Sequence, residues 1–194
     1  MTSLQSFVAE VRACSRCAAH LPHGVRPVFQ FDPRARILIA GQAPGARVHA
    51  SGVPFDDASG ERLRDWLGVD RATFYDPACF AILPLGFCYP GRGASGDLPP
   101  RAECAAAWRA GFMARFERLE FTVLLGRYAI AYHLAVGREP LTDVVRGWQA
   151  HWPWALPLPH PSPRNNAWMA RNPWFEQTVL PALRMRVAAL LDKA

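Results

Sequence analysis

Four short apolar runs constrain this chain more than any other feature: Arg36-Ile37-Leu38-Ile39-Ala40, Phe80 to Gly86, Phe121 to Leu125 and Trp154 to Leu158. The first is continuous and apolar, as a strand is when both faces of its sheet are covered. Helical segments stand between and around the runs. Residues 4–13 put Leu4, Phe7, Val8 and Val11 on one side, and Glu61 to Leu67 turns Leu63, Trp66 and Leu67 inward. Ala105 to Phe116, Tyr128 to Leu134 and Trp174 to Leu191 complete the set, with Pro181 expected to kink the last. Pro22 to Pro33 reads as an irregular connector, Cys88 to Cys104 as a long Gly/Pro-rich loop, and Val145 to Trp148 as a turn back toward the fourth strand. The alternation predicts a single α/β domain over residues 1–194, with a central, mostly parallel four-stranded sheet flanked by helices.

The length of 194 residues is enough for a two- or three-layer core, and 51% apolar with 20% charged residues is ordinary globular composition. No apolar run reaches the length of a membrane span. Met1 to Glu10 lacks a basic segment followed by an apolar stretch, so the expected location is the cytoplasm of a prokaryote. The net charge is +6, carried by 21 Arg and one Lys, Lys193. Such a surplus favours a polyanionic partner, and arginine forks onto phosphate and stacks on bases. A GC-rich genome would produce the same bias, and composition does not choose between the two.

Three stretches carry chemistry. His160-Pro161-Ser162-Pro163-Arg164-Asn165 follows the fourth strand, and its two prolines make a stiff loop bearing an imidazole, a hydroxyl, a guanidinium and an amide. Gly41-Gln42-Ala43-Pro44-Gly45 follows the first strand, where open α/β sheets bind ligands. Cys14 and Cys17 form a Cys-x-x-Cys pair, and Cys88 and Cys104 are separated by 15 intervening residues. In a reducing compartment such thiols point to metal or redox chemistry, either an iron–sulfur cluster or zinc, with four unlinked thiols as the plain alternative. Cys79 is read as a core cysteine.

These residues resemble the uracil-DNA glycosylase superfamily. The His-Pro-Ser loop is similar to its second signature motif, and Gly41–Gly45 to its first, a Gly-(Gln/Glu)-x-Pro turn. The cysteine spacing looks like that of the iron–sulfur families four and five, Asp57-Ala58-Ser59-Gly60 like the Asp-x-Ser-Gly of family five, and Val145-Arg146-Gly147 like the Val-Arg-Gly before the last strand. The resemblance implies a three-layer glycosylase fold and a monomer that acts on lesion-containing DNA by flipping a base. It also implies a [4Fe-4S] cluster on Cys14, Cys17, Cys88 and Cys104, with zinc as the alternative.

The site residues follow from the same resemblance. His160 would donate to the base carbonyl as charge develops there, joined by backbone amides around Gln42 and Ala43. Phe55, in Gly-Val-Pro-Phe, would stack on the base. Pro163 and Arg164 would fill the space left by the flipped nucleotide, and Ser162 would hold a phosphate. Asp57 would orient water or stabilise the sugar cation, while also being placed to cap the following helix. Two departures stand out: neither Gln42 nor Ala43 can act as a base, and Pro84 occupies the region where uracil-specific members carry an Asn. Asn165 or Gln42 would then help read the base, which would be uracil, hypoxanthine, xanthine or another lesion. A damage-binding module without cleavage, and an unrelated α/β enzyme acting on free nucleosides or nucleotides, are the competing readings.

Overall fold

The structure, a computed structural model, describes residues 3–192 other than 95. Lys193 lies outside the described residues. In chain order the elements are α1 (Leu4–Arg12), β1 (Ile37–Ala40), α2 (Ala46–Ser51), α3 (Ala58–Leu67), α4 (Arg71–Phe74), β2 (Phe80–Ile82), β3 (Arg92–Gly93), β4 (Gly96–Asp97), α5 (Ala102–Met113), β5 (Phe121–Leu125), α6 (Gly126–Leu134), α7 (Leu141–Arg146), β6 (Ala155–Leu158), α8 (Asn166–Arg171) and α9 (Leu180–Leu191).

The main sheet runs β2-β1-β5-β6, and every pairing in it is parallel. Its strands alternate side chains between two cores, one on each face. Ile37, Ile39, Phe80, Ile82, Phe121, Val123, Leu156 and Leu158 pack with Leu63, Trp66 and Leu67 of α3 and Leu183, Val187 and Leu190 of α9. Leu38, Ala40, Ala81, Leu83 and Leu124 face the other way, against Phe7 and Val11 of α1, Trp108 and Phe112 of α5 and Ile130 of α6. The period-two backbone thus explains why the strands carry almost no polar residue. The predicted α/β fold with its parallel four-stranded sheet is the observed one.

Several boundaries differ from the sequence reading, each for a local reason. β2 ends at Ile82, not Gly86, because Pro84 cannot donate to a ladder. Leu83, Leu85 and Gly86 still donate to Ile39, Gly41 and Gln42, so the extended chain follows the first motif without a regular ladder. α3 begins at Ala58, because the Asp57 carboxylate caps it by accepting from Gly60 N at 2.9 Å. α5 begins at Ala102, so Cys104 lies in its first turn, and the presumed loop before it holds the β3–β4 hairpin. The short helices α2, α4, α7 and α8 carry too few apolar repeats to be read from periodicity. The expected kink at Pro181 is a π-helical turn over Phe175–Val179, after which Pro181 sits in the first turn of α9. The wider turn accommodates the donor that proline lacks.

Gly60 bears on the site. A methyl group there would lie 1.8 Å from the Phe55 carbonyl oxygen, and Phe55 itself holds a left-handed backbone at φ 54°. We expect Gly60→Ala to destabilise the fold by about 3 kcal/mol or more, read as a lowered urea midpoint.

Candidate active site

β1 lies between β2 and β5, and the chain leaves β1 toward β2 before returning on the other side. Loops from neighbouring strands therefore part at the carboxyl end of β1, where open α/β sheets bind ligands. A cavity of about 680 Å³ opens there. It is lined by Gly41 to Gly45, by Phe55 and Asp57, and by His160, Ser162, Arg164 and Asn165. Eight of the nine sequence-predicted base, DNA and catalytic residues thus share one cavity. Pro163 is exposed beside its mouth, in the short 3-10 turn Pro163–Asn165.

The wall from the first motif is built around close backbone approach. The Phe55 ring lies over Gly41, with Cζ 3.7 Å from where a methyl group on that glycine would stand, and packs edge-on against Phe74 at 6.2 Å between centroids. The Asp57 carboxylate is divided: Oδ1 caps α3, and Oδ2 lies 4.0 Å from the point where a Gly45 methyl would project. Asp57 therefore both caps α3 and lines the cavity. Gln42 donates through Nε2 to the Leu98 carbonyl at 3.1 Å, which latches the long loop to the first motif.

The opposite wall is the loop after β6. His160 is half-buried, and its Cβ stands 3.5 Å from the methyl position of Gly126, a residue at φ 79°. Asn165 Nδ2 donates to the His160 carbonyl at 2.7 Å, and Arg164 N donates to Ser162 Oγ at 3.3 Å. Arg62 reaches across from α3, donating to Ser162 O at 3.0 Å and to Asn166 Oδ1 at 2.8 Å. The helix capped by Asp57 therefore also holds the histidine loop. Desolvation lowers the His160 pKa below its ordinary value, opposed by the carboxylates of Asp57 and Asp97. At neutral pH the ring is uncharged and able to donate one N–H.

Sequence reasoning did not find the third wall. The β3–β4 hairpin and the turn before it bring Tyr89, Arg92 and Asp97 to the cavity, and α2 brings Arg47. Arg164 lies over the hairpin, its Nη1 only 2.6 Å from where a methyl on Gly96 would be. Arg47, Arg92 and Arg164 are all exposed, so three guanidiniums rim the opening, as a phosphate backbone would require. The hairpin has two residues per strand, too few for a periodic signal. Pro84, in place of an amide, is buried in the cavity lining.

The four cysteines singled out by their spacing line a second pocket, among Val11, Leu21, Phe87 and Trp108. Trp108 Nε1 donates to Cys14 Sγ at 3.4 Å and Phe87 N to Cys104 Sγ at 3.3 Å. Burial raises the thiol pKa values of Cys17, Cys88 and Cys104, the last to about 12. Among the described residues, no group of three or more His, Cys, Asp or Glu closes around a single metal ion. Cys79 packs instead against the core on the α3 face.

The family model of the Uracil DNA glycosylase superfamily matches residues 28–184. The chain belongs to that superfamily, whose members are in general DNA glycosylases of base excision repair. The match includes both motif loops and Asp57, and begins after Cys14 and Cys17. No helix among the described residues is long and apolar enough to cross a membrane.

The desolvation of His160 has a measurable consequence. Its imidazole titrates below about 6.5, the ordinary histidine value. Protonation favours the unfolded chain, so this group's contribution to stability is lost as pH falls from about 6.5 through the folded pKa. NMR titration of the ring compared with an unfolded peptide checks this directly.

Proposed function

We propose that the protein is a monomeric DNA glycosylase of the iron–sulfur type, family four or five. It would flip a deaminated base out of DNA and hydrolyse its N-glycosidic bond. The observation that carries this reading is the meeting of Phe55, Asp57 and His160 in one cavity rimmed by arginines.

Each wall has a task. The flipped base stacks on Phe55. As the bond to the sugar lengthens, negative charge gathers on the base, and positive charge spreads over the sugar as in other glycoside cleavage. The neutral His160 N–H and the backbone amides near Gln42 and Ala43 stabilise the leaving anion. Asp57 Oδ2 faces the developing sugar cation. Pro163 and Arg164 enter the vacated stack, Ser162 takes a phosphate, and the rim arginines follow the backbone with strong salt sensitivity.

Pro84 offers no side-chain amide to read the base edge. Asn165 and Gln42 have each committed a donor to the loops, on His160 O and Leu98 O, which leaves their carbonyl oxygens to accept. Acceptors suit the ring N–H that uracil, hypoxanthine and xanthine share and that cytosine and adenine lack at that edge. This supports a deaminated base as substrate class more than uracil alone.

Cys14, Cys17, Cys88 and Cys104 would hold the cluster. When bound, it supplies a covalent staple between the N-terminal segment and the loop that carries the hairpin. Four sulfurs that share one pocket, two of them accepting N–H donors, suit an iron–sulfur cluster, with zinc as the alternative. Three of these thiols are protonated when free, so loading releases protons and weakens at low pH.

The test is a glycosylase assay on oligonucleotides carrying uracil, hypoxanthine or xanthine, single-stranded and paired. His160→Ala should lower the excision rate by about 10²–10³ while lesion binding persists. Binding without any cleavage by the parent protein would favour a damage-recognition module instead. For the metal, Cys104→Ala should lose the broad visible absorption and about four irons per chain. Stoichiometric zinc in the parent protein would replace the cluster reading.

A further inference from the structure

We propose that Asp97 is a second catalytic carboxylate of this site, the group that takes the proton from the attacking water. The inference rests on the glycosylase reading above. It supplies what the first motif lacks, because neither Gln42 nor Ala43 can accept a proton.

The geometry supports a division of labour between two carboxylates. Asp97 Oδ2 and Asp57 Oδ2 lie 3.6 Å and 4.0 Å from the same point, where a methyl on Gly45 would project. Both carboxylates also act on the His160 ring across the cavity. With glycine at position 45, no side chain stands between this backbone and the two oxygens, so a water can approach both. Asp57 has spent Oδ1 on the cap of α3 and is fixed in direction. No hydrogen bond from the described residues to the Asp97 carboxylate is present, so both its oxygens can accept from water.

Asp97 is also held in place. The Gln42 side chain grips the adjacent Leu98 carbonyl, Leu98 N donates to Gly91 O, and Arg164 lies over Gly96. The charged and titratable groups facing it are Arg92 on its own hairpin, Tyr89 before the hairpin, His160 and Arg164 from the loop after β6, and Asp57 from the start of α3.

In the step itself, the bond from C1′ to the base nitrogen breaks and its electron pair leaves with the base. The water oxygen bonds to C1′, and its proton passes to Asp97. Asp97 then returns that proton to solvent, and the base anion takes one up. The balance is addition of one water across the glycosidic bond.

Single-turnover excision of uracil, hypoxanthine and xanthine oligonucleotides by Asp97→Asn tests the proposal. We expect the rate to fall by about 10²–10⁴, the loss of rate on the acid side of the pH profile to disappear, and Kd for the same oligonucleotide to stay within about threefold. Azide, which needs no deprotonation, should restore consumption of the substrate as the glycosyl azide. A rate within about threefold of the parent overturns the proposal and leaves the glycosylase reading intact. So does a loss in which Kd weakens to match, the pH profile keeps its shape and azide restores nothing, since that describes a latch. A parent protein that holds its cluster and excises none of the three bases overturns both.

Discussion

The common direction of the four strands is the constraint on which the site depends. A parallel sheet sends every carboxyl end to one edge, and every return must cross a face through a helix. Gly41–Gly45, the stretch around Pro84, Gly126 and His160 therefore emerge side by side although they span 120 positions of the chain. The two apolar faces hold this edge rigid. The loops are left to carry polar groups that a core could not satisfy.

Those loops are then tied to one another. Arg62 joins the helix capped by Asp57 to the histidine loop, Asn165 braces that loop from within, and Gln42 joins the first motif to the long loop. A catalytic constellation must be held to a fraction of an ångström, and supporting hydrogen bonds of this kind supply that restraint. Phe55 shows what the tightness demands: its left-handed backbone presses a carbonyl onto Gly60, a conformation that persists only because its surroundings enforce it.

The long loop also joins the two pockets. Cys88 and Cys104 bound a segment whose middle forms one wall of the cavity. The hairpin that carries Arg92 and Asp97 thus lies between two residues of the cysteine pocket.

The sequence by itself determined the class of the fold and the two motif loops. A strand buried on both faces must be apolar throughout, so the runs at Ile37, Phe80, Phe121 and Ala155 were visible without coordinates. Gly-Gln-x-Pro and His-Pro-Ser were legible because proline and glycine impose backbone geometry locally. Even the cap that Asp57 provides could be read, since capping depends only on residues three apart. What only tertiary structure decided is what depends on contact between distant segments. The Gln42 bond to Leu98 spans 56 positions and the Arg62 bond to Ser162 spans 100, and neither leaves a local pattern. Asp97 sits in a hairpin too short for periodicity to register. Its approach to Gly45, Asp57 and His160 exists only because the sheet gathers the loops at one edge.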